Sequence, residues 1–154
     1  MCKKRVYNIE IAIERLKNYC SLEDKCQWDV KQKMKEWGLP KISQDQIMEL
    51  LINQKYIDEE RYSKSFCRGK FKIKKWGKIK ITNELQKKNI SELYIAKGLE
   101  EINDAEYHKE LDKQYQKKKD AINEKNQFIK NKKIATFLIT KGYESNLVWN
   151  KIID

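Results

Sequence analysis

Apolar residues recur along this chain every four positions instead of every two, and one arrangement of them returns three times at intervals of roughly fifty residues. Val30, Met34 and Gly38 are spaced by four and followed by Leu39; Ile81, Leu85 and Asn89 are followed by Ile90; Ile134, Leu138 and Gly142 are followed by Tyr143. Positions four apart stack on one helix face. Gly and Asn tolerate the positive φ that ends a helix, and the apolar residue just beyond folds back over the last turn.

Each copy then supplies a serine, Ser43, Ser91 or Ser145, with apolar residues four and eight positions on: Ile47 and Leu51, Ile95 and Leu99, Trp149 and Ile153. The serines read as N-caps, and Ser43 with Gln46 reads as a capping box. A longer helix precedes each pair, with candidate N-caps Asn8, Asp58 and Asn103 and apolar faces Ala12 and Leu16, Tyr62 and Phe66, Tyr107 and Leu111. The pattern predicts helices over 8–19, 22–37, 43–54, 58–74, 77–88, 91–102, 104–123, 126–141 and 145–153. The expected fold is all-α: three tandem three-helix repeats, residues 1–54, 55–103 and 104–154, in an elongated, curved array.

The stretch from Phe71 to Ile81 also alternates apolar and basic residues about Trp76-Gly77, as a β-hairpin would. The repeat favours helices, because Ile81 and Leu85 occupy the positions of Val30 and Met34. Trp76-Gly77 is then a break between two helices.

One proline and five glycines in 154 residues leave few turn-formers for an all-β fold. Charged residues reach 37% against a typical share of about a quarter, so the apolar supply is thin and an extended, solvated shape is expected. The net charge of +11 favours nucleic acid, acidic protein or anionic membrane, without choosing among them, and a solvated lysine surface would give the same count. Residues 1–7 are basic but run into Glu10 and Glu14, so neither a secretory signal nor a membrane span is expected and a cytoplasmic location follows. Cys2, Cys20, Cys26 and Cys67 form no C-x-x-C pair, which fits reduced thiols better than a zinc site or a disulfide framework.

The middle repeat contains Tyr56-Ile57-Asp58-Glu59-Glu60-Arg61-Tyr62, then Arg68, Trp76-Gly77, Ile79, Ile81, Glu84-Leu85 and Lys88-Asn89-Ile90. This run resembles the RecX family. It matches the aromatic-aliphatic-acidic-acidic segment and the later Glu-Leu, two residues, Lys-Gly-Ile of that family, over about a third of the chain. Two residues depart from the pattern. Lys55 stands where glycine usually precedes the tyrosine, and is expected to alter that turn. Asn89 replaces the cap glycine, and can adopt the same left-handed conformation. The resemblance implies a bacterial regulator that lies along RecA filaments on DNA and modulates ATP hydrolysis, strand exchange and coprotease activity, usually by inhibition. It implies no enzyme activity and no cofactor, with RecA as the partner and a role in DNA repair and recombination.

The residues themselves offer no Gly-x-Ser-x-Gly, no phosphate-cradling glycine loop and no His-Glu-x-x-His. His108, the single histidine, reads as a surface residue. Asp58, Glu59 and Glu60 read as carboxylates at a helix start, and Arg61 as a partner for an acid across a repeat boundary. Trp76 reads either as packed or as an exposed anchor for a partner. The leading interaction candidates are Arg68, Lys70, Lys72, Lys74, Lys75, Lys78 and Lys80, an uninterrupted basic tract that would meet DNA phosphates or acidic protein, or else is solvated surface. A second lysine group, from Lys117 to Lys133, would extend that surface or merely solubilise the third repeat. A monomer is expected, since capped repeats need no second copy. The rival readings are a stand-alone basic nucleic-acid-binding module and a helical scaffold whose charge is compositional.

Overall fold

The computed structural model describes residues 8–154, so the part of the first repeat before Asn8, with Cys2, lies outside the described residues. Within them the chain forms nine helices and no strand. They are α1 (Ile9–Leu22), α2 (Gln27–Glu36), α3 (Lys41–Asn53), α4 (Glu59–Lys72), α5 (Lys78–Lys87), α6 (Glu92–Leu99), α7 (Asp104–Ala121), α8 (Gln127–Thr140) and α9 (Ser145–Ile153). The closest helix packing falls inside three groups, α1–α3, α4–α6 and α7–α9. Among the described residues no hydrogen bond or ion pair joins the first group to the third.

The repeated caps form as the spacing requires. Gly38, Asn89 and Gly142 have φ of 72°, 59° and 104°. In each case the next residue's N–H closes on the carbonyl five back: Leu39 on Met34 at 3.2 Å, Ile90 on Leu85 at 3.2 Å and Tyr143 on Leu138 at 3.1 Å. Leu39, Ile90 and Tyr143 are buried by this fold-back. Lys55 does not alter its turn. It takes φ 62° and the same cap follows, with the Tyr56 N–H on the Leu51 carbonyl at 2.9 Å.

The helix starts agree at Asn8, Asp58, Ser91 and Asn103, whose side chains accept from backbone N–H groups one turn on. They differ elsewhere. Ser43 caps nothing, because α3 begins two residues earlier behind Pro40, whose extended ψ of 151° and fixed φ set the helix entry. Ser145 is the first residue of α9, and Glu144 holds the cap position. The second helix begins at Gln27, five residues later than expected, with Cys26 as its cap: Asp29 Oδ2 accepts from the Cys26 N–H at 3.2 Å and from its thiol at 3.3 Å. Cys20, Cys26 and Cys67 are free and buried, and burial pushes the Cys26 thiol up to about 12. The hairpin alternative is excluded: α4 ends at Lys72 and α5 starts at Lys78.

Two cores result. One, with Ala12, Leu16, Val30, Met34, Ile47 and Leu51, fills the first group. The other runs unbroken through the second and third groups, from Cys67, Phe71 and Leu85 to Tyr107, Leu138 and Val148. Phe71, Tyr107 and Tyr143 stack across that junction with centroids 5.8 and 5.4 Å apart.

Candidate interaction surface

The segment between Asp58 and Lys88 is held on both sides. Asp58 accepts from the Arg61 N–H at 2.9 Å, and Glu59 and Glu60 in the first turn of α4 with Lys70 and Lys72 in the last complement the helix dipole. Arg61 donates to Asp24 Oδ1 at 3.2 Å and to the carbonyls of Lys55 and Tyr56 at 3.2 and 3.3 Å, which ties the loop ahead of α2 to the start of α4. Lys88 donates to Asp29 at 2.8 Å with the rings of Trp28 and Tyr62 within 6 Å. Burial works to lower its pKa, but its bonds to Asp29 and Tyr62 outweigh this and hold it raised.

On the other side the backbone of α5 meets the third group. The Gly77 N–H donates to the Lys141 carbonyl and the Ile79 N–H to the Gly142 carbonyl, each at 2.9 Å. Tyr107 OH accepts from the Lys78 N–H at 3.0 Å and donates to Glu144, while Tyr143 OH donates to the Lys75 carbonyl at 2.9 Å. Burial and the bond to Glu144 raise the Tyr107 hydroxyl's pKa.

The basic tract therefore divides three ways. Arg68, Lys75 and Lys78 pair with Glu101 at 3.5 Å, Glu110 at 3.8 Å and Asp104 at 3.3 Å. Lys70 and Lys80 lie over the Trp76 ring at 5.0 and 4.5 Å, and Phe66 meets that ring edge-on at 6.4 Å. Lys72 and Lys74 are exposed and take part in no ion pair among the described residues. Trp76 is half-buried, packed and reachable at once.

The last turns of α4 also line a cleft of about 530 Å³ against the first group, where Phe66, Lys70, Ile73 and Lys74 face Tyr19 and Lys25. Ile73 is 77% exposed at its rim. The structure thus brings Lys70, Lys74 and the aromatic pair Phe66–Trp76 to one face, and separates from them Arg68, Lys75 and Lys78, which serve the helix packing. Tyr56, Ile57, Tyr62 and Leu85 belong to the cores or pack against them. His108 is exposed, beside Tyr107. No group of three metal-ligating side chains occurs among the described residues, and no helix there is long and apolar enough to cross a membrane. Asp24 and Asp29, which fasten the first group to the second, and Glu144, which holds the Tyr107 hydroxyl that meets Lys78, carry no helical periodicity. Asp29 alone left a trace in the sequence, three residues after Cys26.

Residues 58–99 match the family described as "RecX, second three-helix domain". Among solved structures, a regulatory protein RecX superposes with a TM-score of 0.85 at 23% identity, covering 95% of this chain and 73% of its own. RecX from Lactobacillus salivarius superposes at 0.82 with 21% identity, covering 94% of each chain. No curated protein sequence matches significantly.

Proposed function

We propose that this chain, which belongs to the RecX family through its middle three-helix unit, binds RecA filaments and modulates recombinase ATPase, strand-exchange and coprotease activity, chiefly by inhibition. The observation that carries this reading is the match over residues 58–99 inside a chain that has the RecX fold along 95% of its length. The chemistry is compatible. A series of rigid helical groups with net charge +11 suits a long polyanionic or acidic filament, and flexible lysines contribute charge without reading base edges. We assign the contact to the face bearing Lys70, Lys74 and Trp76 together with the exposed Lys72 at the end of α4, with Arg68, Lys75, Lys78 and Lys80 supporting it through their pairing and packing. The protein acts as a cytoplasmic, non-enzymatic monomer that bridges neighbouring recombinase subunits and opposes their rearrangement.

The test is the single-strand-DNA-dependent ATPase rate of the cognate RecA with substoichiometric amounts of this protein. The rate falls several-fold with wild type and recovers with Lys72→Gln/Lys74→Gln, which removes no ion pair. Lys75→Gln/Lys78→Gln is a poorer probe, since it also removes the pairs to Glu110 and Asp104. Inhibition retained by the first variant would move the contact elsewhere on the surface. An unchanged rate at saturating protein would sink the reading and leave direct DNA binding, measured without recombinase, as the alternative.

A further inference from the structure

The third group carries a second surface that the basic tract does not touch. The C-terminal half of α7 and the outer face of α8 enclose an open groove of about 720 Å³, floored by Ile122, Phe128, Ile129 and Phe137 and rimmed by Lys118, Lys132 and Lys133. Ile122 and Phe137 rest against the core, but Phe128 and Ile129 do not. Phe128 is 78% exposed and Ile129 42%, although α8 buries Ile134, Ala135 and Leu138 on its opposite side. Soluble proteins rarely leave bulky apolar side chains together at a concave surface unless something docks there. Single exposed residues need no such account, but a phenylalanine and an isoleucine adjacent on one helix, facing a third apolar side chain across a groove, do.

The rim states what the occupant must look like. From Lys117 to Lys141 the chain holds eight lysines against two acids, Asp120 and Glu124. Glu124 is already engaged by the Asn126 N–H at 3.1 Å and Lys133 at 3.6 Å. Lys118 lies over the Phe137 ring at 4.6 Å and so stands at the groove wall, where an incoming carboxylate would meet it. Apolar floor, cationic rim and open shape match one face of an amphipathic helix with acidic flanks.

We propose that the α7–α8 groove docks an acidic amphipathic segment of a partner protein, with one or two bulky apolar side chains seated on Phe128, Ile129 and Phe137 and carboxylates on Lys118 and Lys132. Single-stranded nucleic acid is the lesser fit. Stacking on Phe128 and Phe137 would be available to it, but the aliphatic Ile122 and Ile129 offer bases no such platform. None of the residues assigned to filament contact lines the groove, so this inference stands whatever becomes of that assignment.

The probe is a fluorescein-labelled designed peptide, Glu- and Asp-rich with Leu and Phe on one helical face, titrated with the full chain and read by anisotropy. Two controls accompany it: a scrambled peptide of the same composition with the apolar residues spread around the helix, and an oligo-dT strand. The ordered peptide binds at least about tenfold tighter than the scrambled one. Phe128→Ser abolishes that difference and Lys132→Glu weakens both peptides. Phe128 is an exposed side chain, so its loss leaves the helical circular dichroism unchanged; the same titration with Ile129→Ser provides a second variant. Equal binding of ordered and scrambled peptides, or an affinity unaffected by Phe128→Ser and Ile129→Ser, would overturn the proposal. So would oligo-dT binding that depends on Phe128 while the ordered peptide fails to bind, which would make the groove a nucleic-acid surface.

Discussion

Glu59 opens α4 with one carboxylate oxygen accepting from the Gln27 N–H at 3.3 Å and the other, Oε2, buried with no hydrogen-bond partner. Burial pushes its pKa up, the Gln27 N–H pulls it back, and nearby Asp29 adds to the rise. A carboxyl whose folded pKa is raised holds its proton more tightly in the fold than in the unfolded chain. Its ionised form therefore costs stability, fully at neutral pH and not at all once pH has fallen below the unfolded carboxyl range. Glu59→Gln keeps an oxygen for the Gln27 N–H and removes a buried negative charge that Asp29 opposes. We expect it to stabilise the protein by about 1 kcal/mol at pH 7, less a few tenths for the lost helix-dipole charge, with the gain shrinking toward pH 4. Urea midpoints at the two pH values check this, and a destabilised variant at pH 7 would contradict it. The sequence showed Glu59 only as one of three acids at a helix start. It showed that Arg61 would find an acid across the group boundary, but not that the acid would be Asp24, since a residue in a loop has no period to locate it.

At the scale of elements, two glycines do different work from a third. A Cβ at Gly77 would overlap the Gly142 carbonyl and the Tyr143 nitrogen, and one at Gly142, already at φ 104°, would come within 2.7 Å of the Lys80 nitrogen. These clashes are with backbone, so nothing can rotate away. Gly69, inside α4, has open space around its Cβ position. We expect Gly77→Ala and Gly142→Ala each to cost more than about 3 kcal/mol, while Gly69→Ala gains roughly 0.5–1 kcal/mol as an ordinary helix substitution. Chemical denaturation of the three variants separates these outcomes, and a tolerated Gly77→Ala would refute the close-packed junction. Gly142 was legible as a cap because only a few residue types accept positive φ; its second role, as the surface on which α5 lands, was not, because that contact joins residues 65 apart. The same distinction explains the helix starts. Asn8, Asp58, Ser91 and Asn103 are good local acceptors and were found, whereas Cys26 is a poor one whose cap is completed by Asp29, and Ser43 was displaced by a proline that fixes the chain three residues before it.

The whole molecule has two mechanical parts, and they are not its three repeats. The second and third groups share one core, an aromatic stack and backbone-to-backbone hydrogen bonds, so we expect them to open together. The first group has its own core and meets the second through polar links, Arg61 to Asp24, Lys88 to Asp29 and Gln27 to Glu59, and through a small apolar exchange in which Cys26 and Trp28 reach the second core and Tyr56 and Ile57 pack on the first. A small core joined to its neighbour by side-chain bonds is the lower-stability unit of such a pair. We therefore expect native-state hydrogen exchange to resolve two opening free energies, with amides of α1 and α3 at least about 1 kcal/mol below those of α4, α5 and α8. Lys88→Met leaves Asp29 partly buried without its cation and should lower the opening energy of the first group by roughly 2 kcal/mol, with a smaller effect on α8. A single opening energy shared by all three groups, unchanged in its uniformity by Lys88→Met, would show instead that the polar links transmit stability as well as the shared core does. If two energies are found, the cleft against Phe66, Lys70 and Lys74 lies on the line between the parts, and a partner seated in it would set the angle at which the first group meets the other two.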